Sequence, residues 1–447
     1  MSTNTSPLRE DAQVIWQAGV DAASPEILIP NAMSSSEIRR AVTDARRILV
    51  LGGGKAGAAM SAALEDALSD CLGKIEGVVN VPAETVRPLR AIQLHAARPA
   101  KTNQPTMEGV EGTARILDLA RSAGPDDVAI CLFSGGGSAL LPAPVTGIAV
   151  EDKQQVTLLL HACGATINET NAVRKHLSAI KGGRLAQTFS GRALFSLIIS
   201  DVIGDPLDVI ASGPTAADPS TFSDALDVLD RYQLVGKTPG AVLEYLRAGA
   251  AGQHAETLKT LPAQVRNIVI GNNEKALAAS QAKAEELGYA VFNLGSAIAG
   301  ETREVATSMA PMIKSIAARG QPLPPPACVL SGGETTVTLS EDHGLGGRNQ
   351  EFVLAMAARL GMPGMQNVAV LSGGSDGEDG PTDAAGAVAD IETLRNASRE
   401  GLDPSDFLDR HDAYHFFDPV GDLLRTGLTQ TNVMDIRVIL VSRPVMK

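Results

Sequence analysis

Arg47-Ile48-Leu49-Val50-Leu51 runs directly into Gly52-Gly53-Gly54-Lys55-Ala56-Gly57, and an alanine-rich stretch from Ala58 to Leu68 follows. A short aliphatic run without polar alternation reads as a strand covered on both faces. Glycines at its end let the backbone turn sharply and approach a neighbour or a ligand closely. The alanines beyond are strong helix formers. Strand, glycine turn and helix, in that order, open a βαβ unit and predict a mostly parallel sheet with helices on both faces.

The same grammar recurs. Gly77 to Val81 is a second strand candidate, and Asp127 to Phe133 a third that opens into Ser134-Gly135-Gly136-Gly137-Ser138. Leu194 to Ser200 is a fourth, ending at Asp201. The first 45 or so residues read as polar helix, with Ser34-Ser35-Ser36-Glu37 as a cap before Ile38. Gly249 to Leu261 is poor in apolar residues and marks a boundary. Arg266 to Ile270 then reads as the first strand of a second α/β run, and Pro322, Pro324, Pro325 and Pro326 as a rigid connector before Cys328-Val329-Leu330. The expected fold class is therefore α/β in two domains, 1–250 and 262–447.

Composition bounds the function. The 447 residues include 44 Gly and only 3% aromatics, with 44% hydrophobic residues and a net charge of −13. The aliphatic content is that of a folded protein, since disordered chains are poorer in it. Net negative charge argues against nucleic acid as a partner. Four dispersed cysteines form no CxxC pair, which excludes a zinc or disulfide framework and suits a reducing cytoplasm. No apolar run approaches the length of a membrane span, and the first residues lack signal-peptide character. The expected partners are small molecules, with no nucleic acid and no membrane, and a homodimer as the assembly.

The glycines cluster in six turns: 52–57, 135–137, 182–183, 332–333, 344–347 and 373–380. In open α/β sheets ligands bind at the carboxyl ends of strands, where glycine lets backbone N–H groups reach an anion. Gly53, Gly54 and Lys55 therefore read as an anion site, as do Ser134, Gly135, Gly136, Gly137 and Ser138. The first turn formally matches GxGxxG, but the dinucleotide reading wants an acid about 20 residues on, and Glu84 is the nearest suitable one. A Walker loop fails because Leu49 and Ala56 stand where it needs Gly and Ser or Thr.

Ser200-Asp201-Val202-Ile203-Gly204-Asp205 places two carboxylates after a strand, able either to hold Mg²⁺ with substrate phosphates or to cap a turn. Arg174, Lys175, Lys181 and Arg184 form the densest basic stretch, which reads as a solvated helix face. Ser331-Gly332-Gly333-Glu334 and Gly346-Gly347-Arg348-Asn349 set a carboxylate and an arginine beside glycine turns, and Arg binds phosphate or carboxylate bidentately. Gly373-Gly374-Ser375-Asp376-Gly377 fits the GxSxG pattern, with His411 and His415 as paper partners, yet Glu378-Asp379-Gly380-Pro381 reads as an acidic loop instead of a helix.

Taken in order, these strings, with Ala211-Ser212-Gly213-Pro214-Thr215 and Thr431-Asn432-Val433-Met434-Asp435, resemble the glycerate 2-kinase family that carries a MOFRL domain. The resemblance implies a Rossmann-like N-terminal domain and a second α/β domain with the MOFRL region at about 325–440, and an active site in the cleft between them. It implies ATP-dependent, Mg²⁺-assisted phosphorylation of D-glycerate to 2-phosphoglycerate. It places Lys55, Arg348, Asp201 and Glu334 in catalysis, Lys181 with the two glycine turns on the cofactor, and Asp201, Asp205 and Asp376 near the metal. His95-Ala96-Ala97-Arg98-Pro99-Ala100-Lys101 departs from the family's His-Pro-x-Pro element and bears on the acceptor. A glycerate 3-kinase and an NAD(P)H-dependent hydroxypyruvate reductase are the competing readings.

Overall fold

A computed structural model describes residues 7–99, 104–340 and 342–443; Ala100 and Lys101 of the departing element lie outside the described residues. The chain divides into two compact units, one spanning Pro25–Ile270 and the other combining the residues up to Ser24 with those from Gly271 onward.

The Pro25–Ile270 unit is built on six strands: β1 Ile48–Gly53, β2 Ile75–Pro82, β3 Ile92–Arg98, β4 Val128–Phe133, β5 Ala193–Ile199 and β6 Val265–Gly271. Their order is β3-β2-β1-β4-β5-β6, and the pairings from β3 through β5 are parallel. This is the doubly wound order of dinucleotide-binding folds. Every residue of β1 and β4 is buried, which explains their unbroken aliphatic runs. The helices Gly57–Ala67 and Met107–Arg121 pack on β1 to β4. β3 escapes the sequence reading because its residues alternate between buried and exposed, as on a sheet edge.

The second unit carries β7 Ala290–Asn293, β8 Ala327–Gly333, β9 Val368–Gly374, β10 Gly386–Ala389, β11 Leu423–Leu424 and β12 Asp435–Val441, in the order β11-β10-β9-β12-β8-β7. Only β7 and β8 pair in parallel; β12 lies antiparallel between β8 and β9, and β10 antiparallel to β9 and β11. The helices Thr302–Arg319 and Arg348–Gly364 share a core with β8, β9 and β12.

The observed division differs from 1–250 and 262–447 at two points. The strand expected to start the second domain, around Arg266 to Ile270, completes the first sheet as β6 instead, where the Leu194 N–H bonds the Gln264 carbonyl. The first helix, Pro7–Ala22, belongs with the distant C-terminal half: the Trp16 indole N–H donates to the Gly373 carbonyl at 3.1 Å, and Arg9 pairs with Asp390 and Asp422. Apolar periodicity identifies that helix but not the sheet that covers it. Ser35 stands at the N-cap of Ser36–Asp44 without bonding its N–H groups through its side chain. No described helix is long and apolar enough to cross a membrane.

Candidate functional site: the switch point and its cations

In the first sheet the strand order reverses between β1 and β4, and ligands of such sheets bind outside the carboxyl ends of the strands at this point. The two glycine turns meet there. Gly53 is in register with Phe133; beyond them the Lys55 N–H donates to the Gly135 carbonyl at 2.8 Å and the Ala56 N–H to Ser134 Oγ at 3.0 Å. Gly54 is required by this approach, because a Cβ there would lie 2.1 Å from Ser134 Oγ. Gly136 has φ 75° and is open above: a Cβ on it would come within 3.4 Å of Lys55 Cγ and 3.7 Å of Arg98 Nη2. Lys55 and Arg98 therefore both reach the Ser134–Ser138 turn.

The basic stretch expected on a solvated helix face is largely inside the protein. Lys175, His176 and Lys181 are buried, and Arg174 and Arg184 half-buried. Lys175 bonds Asp208 at 2.9 Å and Asp218 at 3.2 Å, and His176 bonds Glu256 at 2.9 Å. Arg174 and Lys181 turn instead to Ser138. Arg174 Nη2 donates to its Oγ at 2.6 Å, and Lys181 Nζ to its carbonyl at 2.6 Å and Oγ at 2.7 Å. Burial, with Arg174 and Lys153 nearby, pushes the Lys181 ammonium well below the ordinary lysine range. Lys153 is the cation that sequence reading missed. Glu151-Asp152-Lys153-Gln154-Gln155 looks like helix surface, but the buried positions of Val150–Ala162 are Val150, Lys153, Val156 and Leu160. A lysine on the apolar stripe was the available signal. A cavity of about 460 Å³ beside this cluster is lined by Gly136, Ser138, Gln154, Thr157, His161 and Arg174, among others.

Asp201 and Asp205 follow β5, next to β4, and both are half-buried. Asp205 has φ 53°, an uncommon conformation for a non-glycine residue. Among the described residues no three His, Cys, Asp or Glu side chains gather as a metal site. Two carboxylates still suit Mg²⁺, which keeps waters and takes substrate phosphate oxygens beside one or two carboxylates.

The second unit has its own constellation. Arg348 opens the helix Arg348–Gly364 and grips Asp435 with two bonds, Nε to Oδ2 at 2.8 Å and Nη2 to Oδ1 at 3.0 Å. Its Nη1 pairs with the half-exposed Glu334 at 3.0 Å, so the sequence-predicted Arg348 and Glu334 do stand together. Burial alone would lower the Arg348 guanidinium, but Asp435 and Glu334 outweigh it and hold it above the usual range. Asp435 also meets Arg437 at 3.2 Å and accepts the Asn349 amide at 2.9 Å. Asp379 accepts the Asn349 and Gln350 N–H groups; burial nevertheless raises its carboxyl to about 6, with Asp435 adding to the rise. Asp376 bonds the Glu378 N–H at 3.1 Å in the acidic loop.

That loop is not a hydrolase elbow. No helix follows β9, and Ser375 is fully buried with its Oγ accepting the Val433 N–H. His411 bonds Glu351 and Arg303, and His415 bonds Asp412, so neither is joined to Ser375. For the dinucleotide reading, Glu84 lies exposed just beyond β2, while the buried Asn80 side chain in that strand bonds the carbonyls of Leu140 and Gly109.

The fold and these sites define a class: a two-unit α/β protein with a doubly wound sheet whose switch point collects cations, followed by a mixed-sheet unit built around an Arg–Asp pair. Comparisons narrow it. Residues 11–247 match the family described as "Domain of unknown function (DUF4147)", and residues 327–435 match the MOFRL family. A protein of Agrobacterium vitis provisionally named a hydroxypyruvate reductase is 43% identical over 88% of this chain and 99% of its own length. The glycerate 2-kinase of Pyrococcus horikoshii is 35% identical over 97% of this chain and 98% of its own. The crystal structure of glycerate kinase from Thermotoga maritima superimposes with a TM-score of 0.86 at 34% identity, covering 97% of this chain and 99% of that one. The chain belongs to the glycerate kinase family that carries a MOFRL domain.

Proposed function

We propose that this protein is an ATP-dependent glycerate kinase that phosphorylates the 2-hydroxyl of D-glycerate. The observation that carries this reading is the switch-point turn: Lys55, Arg98, Arg174 and Lys181 surround Gly135–Ser138 at the place where an open sheet binds its ligand. The relatives named glycerate kinase supply the substrate. Phosphoryl transfer is chiefly positioning and charge stabilisation, and a concentration of cations suits it. In this reading Gly53, Gly54 and Ser134–Ser138 cradle the phosphates with Lys181. Lys55 and Arg348 neutralise the charge on the transferring group and on the glycerate carboxylate. Asp201 or Glu334 orients the acceptor hydroxyl. Mg²⁺ would be held by Asp201 and Asp205 with phosphate oxygens and would supply charge neutralisation, with Asp376 of the acidic loop as the further carboxylate that the family resemblance suggests. The four free cysteines suit a reducing compartment, and we place the reaction in the cytoplasm on that ground.

The reductase alternative has less to stand on, since Glu84 is exposed outside the strand end where a ribose-binding acid belongs. One assay separates the readings. With Mg-ATP, D-glycerate and enolase, but no phosphoglycerate mutase, phosphoenolpyruvate absorbance appears if the 2-phosphate forms. Phosphate transfer without that signal would mean the 3-position, and NADH consumption with hydroxypyruvate the reductase. Lys55→Ala and Arg348→Ala should each lower kcat by a factor on the order of 10²–10³; near-normal turnover in both would overturn the assignment.

A further inference from the structure

Among the described residues, three clustered basic groups, two of them on Ser138, have no counter-ion. Lys153 is 8% exposed, and its Nζ, with less than 1 Å² accessible, has no hydrogen-bond partner. Arg174 bonds only the Ser138 hydroxyl among side chains, and Lys181 only the hydroxyl and carbonyl of that same residue. Among the described residues none of the three meets a carboxylate. One neutral residue thus receives the donors of two charges, and a third charge has no acceptor. The groups facing Lys153 add to this: Arg174 from the helix Ile167–His176, and Lys181 and Arg184 from the following turn, are all basic. On its own helix Asp152 is used in capping, its carboxylate accepting the Ala149 N–H, and His161 lies two turns on at the cavity wall. Buried basic groups without partners are costly to charge, so a protein that keeps three together, with Arg174 at the wall of a cavity, has a use for their field.

We propose that Lys153, Arg174 and Lys181 form a receptor for a phosphate group entering through the cavity lined by Ser138, Gln154, Thr157 and His161. A phosphate dianion supplies acceptors in several directions, which the single Ser138 hydroxyl cannot. It also brings the negative charge that Arg184 and its neighbours demand. The source of the phosphate, the nucleotide, rests on the kinase reading; the receptor itself rests on the cluster and the cavity. Lys153 and Lys181 are both proton-linked, since burial also pushes the Lys181 ammonium well below the ordinary lysine range. Burial, aided by Arg174 and Arg184, lowers the Lys153 ammonium to about 7, so at pH 8 most of it is neutral. An arriving dianion restores the charge, and Lys153 takes one proton from the buffer.

The test is titration calorimetry on the full chain at pH 8, where the phosphate is mostly dianionic. It is run in buffers of different ionisation enthalpy, with inorganic phosphate, ATP and D-glycerate as separate probes. Wild type should take up protons with ATP or phosphate and none with D-glycerate. Lys153→Met should lower that uptake and weaken ATP and phosphate by roughly 10-fold or more, the scale of one lost charge-assisted hydrogen bond, while D-glycerate binds as before. Lys153→Arg, which keeps a charge that never titrates, should retain most of the affinity with the same lowered uptake. Unchanged affinity and uptake in Lys153→Met would overturn the proposal, as would a loss confined to D-glycerate. Phosphate binding with proton uptake in a protein that neither binds ATP nor phosphorylates glycerate would leave the receptor standing and remove the kinase reading. Normal kinase activity with an indifferent Lys153 would do the reverse.

Discussion

Two groups of buried and half-buried cations stand in this protein under opposite conditions. Arg348 and Arg437 converge on Asp435, which has no exposed side-chain surface, and Arg348 keeps its second partner in Glu334. Arg174 and Lys181 converge on a serine, and Lys153 beside them has no hydrogen-bond partner among the described residues. The first group is balanced within the protein, so Asp435 and Asn349 fix where the Arg348 guanidinium lies. The second stores positive potential that only a ligand can balance. Stability and function pull the same way where the charge is paired and apart where it is not.

Breaking the paired side should have the largest effect. Asp435→Asn strands the buried Arg437 and takes the main partner from the half-buried Arg348, and it is expected to destabilise by about 3–5 kcal/mol, seen as a lower thermal midpoint. On the unpaired side the sign reverses. Lys153→Met removes a buried charge without breaking a bond, and at pH 6 it should raise stability by about 1–4 kcal/mol. A variant less stable than wild type at that pH would erase the contrast. The pH course sharpens it. Lys153 titrates at about 7 in the folded protein, against about 10.4 for a free lysine. Between those values the unfolded chain holds a proton that the folded one has released, so wild-type stability rises with pH. Below 7 both hold it and the burial cost is complete. Relative to Lys153→Met, wild type should therefore gain up to ~1.4 kcal/mol per pH unit from pH 7 toward 10. Denaturant midpoints from pH 6 to 9 measure this. Glu334→Gln should change stability least, by about 0–1 kcal/mol, because its carboxylate is half-exposed while Asp435 does the holding. A larger loss would make Glu334 a structural counter-ion equal to Asp435.

Much of the frame was legible. β1, β4 and β5 lie where short aliphatic runs lead into glycine or Asp, β2 lies over the run Gly77 to Val81, and the two turns that the residues single out adjoin at the switch point. Lys55 was legible because it sits inside its turn, and Arg348 and Glu334 because each adjoins glycines; the last two stand 3.0 Å apart. The basic stretch was misread for a definite reason. Helical spacing places Arg174, Lys175 and His176 on the helix but does not say that a turn at 178–184 and the Ser138 segment cover it. Asp435 and Asp379 appeared only as parts of strings, since their work depends on a helix N-terminus 87 and 30 residues away in sequence.

By itself, then, the sequence determined the local events: aliphatic runs that must be covered on both faces, turns that tolerate no side chain, and the charged residues set within them. These follow from sterics and periodicity over a few residues. Tertiary structure decided which elements share a sheet, why β6 closes the first and Pro7–Ala22 joins the second, and which cations keep a counter-ion. Burial and pairing are set by residues remote along the chain. The neighbours of Lys153 are Arg174, Lys181 and Arg184, while the carboxylates beside it in sequence, Glu151 and Asp152, do not pair with it.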